Sequence, residues 1–471
     1  MRVLIISASR EIVHVMVPPL GESYLASYLI SQGHEVKLLD LTLSHSYKKD
    51  IDNAIYEFDP ELIGISIRNI DSTTYPGNLF FYLPAKNIVT YIKQIVNSSV
   101  PIILGGSGFS IFSEEILRDL DHDIGVVGEG EYVFNRIIHY LEKGEDLRKI
   151  KKGICFLTEG GQYYQKPPWI VENLDELPFP ERTLLDNDAY LIDPLNDSGP
   201  RWANLQTKRG CSKNCIYCSY RYIEGSKVRY RSPEKIADEI EYMEQSLDIQ
   251  NIFFVDSVLN LNYTHLEEIC TKIVKRNCDI QWGANYAPSE EFIELMPLMK
   301  ESGATHLATG FESLSEEMLK NMHKDRKPND AILTSEKCME LEIEQLIHVI
   351  VGGPGETLKT VATSFDRLEE IENYRGNIWQ GDGDVLIFVG MRIYPHTQLQ
   401  KIAIEEGIIR LGDPLLTPKF YISPKIKEVE LYQIVRDYCA RNPRWMAPGL
   451  GLNNPEGFAE MSQVQFSLYQ T

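Results

Sequence analysis

Nowhere in the chain's 471 residues does an apolar run approach the length of a membrane-spanning helix; the most apolar stretches are short and strand-like. Positive charge is scarce as well. Lys and Arg total 47 against 68 Asp and Glu, a formal net charge of −21. That balance argues against nucleic acid as the main partner. The one basic segment, SKVRYRS from Ser226 to Ser232, is too small to reverse it and reads as solvated surface. The first stretch, MRVLIISASR, reads as a strand and lacks a signal-peptide cleavage pattern. The expectation is a cytoplasmic protein with no membrane partner. Eight cysteines in that compartment are reduced thiols and not disulfides.

Composition shows no bias toward disorder, and the length suggests two or three domains. Over residues 1–150, short apolar runs alternate with helical patterns. VLIIS, EVKLLDL, LIGISI, PIILGG and DIGVVGEGE read as five strands. Between the first two, Leu20, Tyr24, Leu25, Tyr28 and Leu29 recur at helical spacing. Strands that are apolar throughout and separated by helices indicate a doubly wound, flavodoxin-like parallel sheet covered on both faces. Ligands of such sheets sit beyond the carboxyl ends of the strands. Ser66, Arg68 and Asn69 follow the third strand, Gly105, Gly106 and Gly108 the fourth, and Gly128, Glu129, Gly130 and Glu131 the fifth. The glycines suit close approach of a bulky ligand, and equally suit tight turns into helices.

In PPLGESYLASYL, LGGSGFSIF and VVGEGEYVF this half resembles the cobalamin-binding domain that precedes many radical enzymes. The resemblance implies bound cobalamin. The D-x-H-x-x-G motif of methionine-synthase-type proteins, whose histidine ligates cobalt, does not occur; Asp40 and His45 have the wrong spacing. No histidine ligand from that motif is expected, and the missing motif leaves open a domain that kept the fold without the cofactor.

Residues 151–200 include the proline-bearing ENLDELPFPERTLLD and read as a linker. Next comes a strand that runs into TKRGCSKNCIYCSY, where Cys211, Cys215 and Cys218 have the spacing C-x3-C-x2-C. The remaining cysteines, Cys155, Cys270, Cys278, Cys338 and Cys439, are scattered and read as small buried hydrophobes. A 4Fe-4S cluster normally takes four thiolates, so three leave one iron open. A zinc site completed by a distant residue is the alternative. With Tyr217 before the last cysteine, the motif resembles the signature of the radical S-adenosylmethionine (SAM) superfamily. That resemblance implies SAM on the open iron.

Over 201–410 a strand-and-helix unit repeats, six strands in all, which agrees with the partial (β/α)6 barrel of the superfamily. Barrel sites form at the strands' carboxyl ends. There FFVDS places Asp256, ATGFES places Gly310, Glu312 and Ser313, and IVGGPGET places Gly352 and Gly353. The resemblance implies that these residues line the SAM pocket. Glu356 and Thr357 can equally begin a helix, and Asp256 can cap one. His396 stands where the family commonly has glycine, and a structural role is expected for it. The resemblance fades in the C-terminal extension, 411–471, which either covers the substrate or packs on the barrel.

Together these resemblances imply an enzyme with a 4Fe-4S cluster, SAM and cobalamin, served by an electron donor such as flavodoxin or ferredoxin. The commonest reaction they imply is methylation of an unactivated carbon in a small molecule or peptide. One SAM methylates cobalamin, and a second yields the 5'-deoxyadenosyl radical that abstracts hydrogen. A radical cyclisation or rearrangement, and a radical SAM enzyme that has lost cobalamin, are the alternatives among enzymes. A non-catalytic cobalamin sensor is the rival from another class, and it gives the cysteine loop no use.

Overall fold

The computed structural model describes residues 1–11, 17–42, 44–187, 190, 202–375 and 385–453. Arg2–Ser7 (β1), Glu35–Asp40 (β2), Leu62–Ser66 (β3), Ile102–Gly105 (β4) and Ile124–Val126 (β5) lie parallel in the order β2-β1-β3-β4-β5. Side chains alternate across a strand, so an all-apolar strand feeds two cores. In β1, Val3 and Ile5 pack with Leu29, Val133 and Phe134, whereas Leu4 and Ile6 pack with Ile51, Ile88 and Val89. Helices Leu20–Ser31 and Glu131–Glu142 supply the first group, and Tyr47–Phe58 and Tyr82–Ile95 the second. This is the doubly wound sheet expected, with its switch point between β1 and β3.

The sheet does not stop at residue 150. Ile154–Leu157 (β6) pairs antiparallel with β5, and Tyr163–Gln165 (β7) pairs antiparallel with β6. The expected linker therefore begins inside the sheet. Cys155 makes the reason visible: it is fully buried in the same core as Leu104 and Phe109, so β6 is held as a sheet strand. Residues 188, 189 and 191–200 of that linker lie outside the described residues.

Trp202–Leu205 (β8) starts the second sheet. Lys208–Arg209 (β9) pairs antiparallel with Arg229–Tyr230 (β10), closing the cysteine segment into a loop. Asn251–Phe254 (β11), Gln281–Tyr286 (β12), Ala304–Glu312 (β13), Glu344–Val351 (β14) and Val385–Val389 (β15) then follow β8 in parallel chain order. Met391–Arg392 (β16) and Phe420–Tyr421 (β17) form a separate antiparallel pair. Trp445–Met446 (β18), from the C-terminal extension, adds beside β15. The six strands expected are present, and β18 makes a seventh. Asp384 and residues 454–471 lie outside the described residues.

Exposure alternates along β14. Ile347, Val349 and Val351 are buried against Val361, Phe365 and Leu368 of the helix Leu358–Arg375, while Leu346, His348 and Ile350 stay half-buried. One face packed on helices and one left open is how a partial barrel keeps an internal cavity. The halves also share a core, since Met318, Met391, Ile393 and Leu399 cluster with Leu4, Ile6, Ile65 and Phe112. Across the seam, Arg392 Nε donates to Asp71 Oδ2 at 2.8 Å, with both side chains buried.

Candidate functional site

Gly210 sets up the cysteine loop. Its φ is +88°, and a Cβ there would come 2.3 Å from the Lys227 carbonyl oxygen, so no other residue fits without displacing backbone. Its N–H donates to Glu224 Oε2 at 2.9 Å, and the Cys211 N–H donates to the Gly225 carbonyl at 3.2 Å. Cys211 is buried; Cys215 and Cys218 are half-buried, and all are free thiols. Burial pushes the Cys218 thiol up to about 11, and the neighbouring Cys215 and Cys211 add to the rise. A cation among the three would reverse that and hold them as thiolates. Among the described residues, no group of three or more His, Cys, Asp and Glu side chains forms a single-ion site. A cluster binds each thiolate at a separate iron, so thiols spread along a loop fit it.

Asp256 braces this loop. Its Oδ1 accepts from the Thr207 and Lys208 N–H groups at 2.9 and 3.2 Å, and Oδ2 from the Thr207 hydroxyl at 2.6 Å and Lys208 Nζ at 2.9 Å. A carboxylate offers about four acceptor positions, and the protein fills them. Glu312 is different. It ends β13 at a register shift, with φ +56°, and its Oε1 accepts from the Tyr217 hydroxyl at 2.8 Å, from Lys324 Nζ, and more distantly from Arg326 at 3.4 Å. Burial opposes ionisation, but Lys324 and Arg326 outweigh it and hold this carboxyl down at about 2. Its other oxygen, Oε2, is buried without a hydrogen-bond partner. A Cβ at Gly310 would approach that oxygen to 2.7 Å, so the glycine keeps its surroundings open. An orphaned acceptor beside the cysteine loop fits the hydroxyl or ammonium groups of SAM.

Ser313 points elsewhere, its hydroxyl 2.9 Å from the Ser364 hydroxyl. The Gly352 and Gly353 N–H groups donate to Glu356 Oε2 at 2.5 and 2.9 Å, so these glycines offer close approach and not free donors. Burial raises the Glu356 carboxyl to about 7 against those two bonds. His396 stacks on Tyr222, with ring centroids 4.5 Å apart, the structural role expected of it.

At the carboxyl ends of the first sheet lies a cleft of about 360 Å³. Ser66, Arg68, Gly105, Gly106, Gly128, Glu129, Gly130 and Glu131 all line it. Asn69 and Gly108 do not; they border a neighbouring depression of about 220 Å³ with Asp71 and Tyr394. A wider depression of about 490 Å³, around Tyr28, Tyr132 and Trp169, shares no residue with the cleft. The cleft's opposite wall comes from the cysteine segment: Arg209, Tyr220, Ile223 and Glu224. Arg209 joins the walls, its guanidinium reaching Glu131 Oε1 at 2.7 Å and Glu129 Oε2 at 3.4 Å. Glu129 also meets Arg229 at 2.5 Å and accepts the Val171 N–H at 2.8 Å. Arg209, Lys324 and Arg326 escaped sequence reasoning, with the basic pair directly before Gly210 as the available signal. SKVRYRS, expected as solvated surface, instead buries Arg229 and Arg231 because Glu129 and Glu239 pair with them. An apolar interior rimmed by glycine and polar groups suits a large, flat, amide-bearing ligand such as cobalamin. The cleft also holds a buried carboxyl oxygen without a partner, Glu22 Oε1.

Comparison with known proteins agrees with both halves of this geometry. The Radical SAM superfamily model matches residues 205–368, and the B12 binding domain model matches residues 11–138. The chain is a radical SAM enzyme carrying a B12 binding domain. It is similar to an uncharacterized methyltransferase of Pyrococcus horikoshii, 28% identical over 90% of this chain and 88% of the relative. It is also similar to the anaerobic magnesium-protoporphyrin IX monomethyl ester cyclase of Rubrivivax gelatinosus, 24% identical over 74% of this chain and 61% of that one. Its fold matches the radical SAM methyltransferase TsrM of Kitasatospora setae, a structure with cobalamin and a [4Fe-4S] cluster bound, at a TM-score of 0.78 and 20% identity over 100% and 99% of the two chains.

Proposed function

We propose that the protein methylates an unactivated carbon of a small molecule, using SAM and cobalamin in one cavity. The observation that carries this is the shared wall: Tyr220, Ile223 and Glu224, immediately after Cys218, line the cleft of the first sheet. Chemistry at the cluster and chemistry in the cleft are thereby neighbours. When bound, the cluster with SAM supplies hydrogen abstraction and cobalamin supplies methyl transfer.

The chain's own residues hold and orient. Cys211, Cys215 and Cys218 ligate the cluster and leave one iron for SAM. The free oxygen of Glu312 accepts a hydrogen bond from SAM, with Tyr217, Lys324 and Arg326 fixing the other oxygen. Gly310 keeps the surroundings of that oxygen clear of a side chain, Gly352 and Gly353 let the backbone pack closely, and Gly105, Gly106 and Gly128 line the cleft. Asp256 and Ser313 act through the backbone they brace. With D-x-H-x-x-G absent, cobalt receives no histidine from that motif. A small-molecule substrate agrees with the TsrM structure that holds tryptophan, and with the neighbouring depression of about 220 Å³. An electron donor of the flavodoxin or ferredoxin kind serves the cluster, in the cytoplasm. Among the described residues no helix is long and apolar enough to cross a membrane.

Ring formation is the second reading, favoured by the match to the cyclase. Product mass separates the two. Anaerobically reconstituted protein is given SAM with a deuterated methyl group, a reductant and a panel of small-molecule acceptors. Methyl transfer yields a product heavier by the labelled group. A product that loses hydrogens or keeps its mass, with SAM consumed, assigns the cyclase or rearrangement reading instead.

A further inference from the structure

Glu22 stands in the first turn of the helix Leu20–Ser31 and is buried together with Ser23, Tyr24, Ala26 and Leu29. It is 6% exposed, lines the cleft, and its Oε1 has no hydrogen-bond partner. Beneath it the cleft is apolar, formed by Ile5, Leu25, Ile65, Ile103, Val126 and Phe134. A buried carboxyl with one oxygen left unpartnered costs stability, and a leucine of similar size would not. Its retention is explained if something else completes the site.

The groups around Glu22 decide its protonation state. Burial raises its pKa from the ordinary carboxyl value, and Asp40 from β2 adds to the rise. Opposing it are the Ser66 hydroxyl at the end of β3, the helix's own first-turn N–H, and Arg68. Arg68 is engaged elsewhere, its guanidinium bonded to Glu11 at 2.9 Å and to the Val17 carbonyl at 3.1 Å. Across the cleft, Arg209 is held between Glu129 and Glu131, and Glu224 is another buried acid whose pKa burial raises. Burial and Asp40 thus shift Glu22 toward its protonated form, with Ser66, the first-turn N–H and Arg68 opposing. A neutral carboxyl presents one donor and one acceptor side by side.

We propose that Glu22 is a recognition residue for cobalamin, its carboxyl hydrogen-bonding an uncharged nitrogen or amide group of the cofactor. That chemistry has two sources in cobalamin: the ring nitrogen of the benzimidazole on the nucleotide tail, and the carboxamides around the corrin. The proposal rests on the cobalamin reading above and adds a residue that the five strand-end loops do not contain.

Binding of hydroxocobalamin and of cobinamide, which lacks the nucleotide tail, is measured on the full-length wild-type chain and on Glu22→Leu and Glu22→Gln by equilibrium dialysis from pH 6 to pH 9. Glu22→Leu is expected to bind hydroxocobalamin roughly three- to ten-fold more weakly, while its ligand-free form is no less thermally stable than wild type. Glu22→Gln, which keeps one donor and one acceptor, is expected to bind nearly as wild type. A contact made through the protonated carboxyl makes wild-type affinity fall with rising pH, whereas the Gln variant stays flat. A loss seen with hydroxocobalamin but not with cobinamide places the contact on the nucleotide tail, and an equal loss with both places it on the corrin. Unchanged affinity in Glu22→Leu, or a Gln variant with the wild-type pH dependence, overturns the proposal. Wild-type protein that binds neither ligand overturns the cobalamin reading itself, a different failure.

Discussion

Arg209 and Glu131 meet at 2.7 Å although 78 residues separate them in the chain. The arginine lies two residues before Cys211, and the glutamate opens the helix beside the cleft of the first sheet. Through this pair the cysteine loop is tied to the strand-end loop of the first sheet. Both side chains are buried, so the pair is costly to break from one side.

Arg209→Ala is accordingly expected to destabilise the protein by about 3–5 kcal/mol, because Glu131 is left buried without its partner. Thermal unfolding followed by circular dichroism measures this. A loss under about 1 kcal/mol would mean that the pair is solvated and does not join the halves.

Cys215→Ala removes a thiol that is half-buried. The variant is expected to fold, to lose the cluster's iron and visible absorbance after reconstitution, and to stop consuming SAM. Retained iron and SAM cleavage would show that the three cysteines are not the ligands.

Glu312→Gln replaces an ionised acceptor with an amide. SAM binding is expected to weaken roughly ten-fold or more, the usual effect of losing a hydrogen bond to a charged group, with cluster content unchanged. Unchanged SAM affinity in calorimetry would remove Glu312 from the pocket.

Glu356 gives a pH signature. Burial raises its folded-state value to about 7 from the ordinary 4.5, so the folded protein holds a proton that the unfolded chain releases. Stability contributed by that proton is fully present below about pH 4.5, falls as pH rises toward 7, and is flat above. The change is on the order of 3 kcal/mol. In Glu356→Gln this part of the decline should vanish from melting temperatures measured between pH 5 and pH 8.

What the sequence made legible was whatever is local or periodic. The cysteine spacing is contiguous, and β1 or β3 shows as an unbroken apolar run because two helical layers cover it. The strand β7 did not show, since YYQ is three residues long and lies at the sheet's edge with two of them exposed. Ion pairs were hidden for another reason. Asp71 and Arg392 are 321 residues apart, and no window on the chain contains both. Asp256 was legible as a polar residue at a strand end, but not as a brace, because its partners Thr207 and Lys208 lie 49 and 48 residues away, just past the strand that pairs with β11. Glu22 was masked by its helix, where an acid in the first turn is ordinary.

The central claim is that one chain holds a cluster and cobalamin against a common cavity. Its most direct test is to reconstitute the protein anaerobically, add hydroxocobalamin, remove the excess, and quantify iron, sulfide and cobalt per chain with paramagnetic resonance of the reduced sample. The account predicts one [4Fe-4S] cluster and one cobalamin per chain. Zinc in place of the cluster, or a loaded cluster with no cobalt retained, would contradict it.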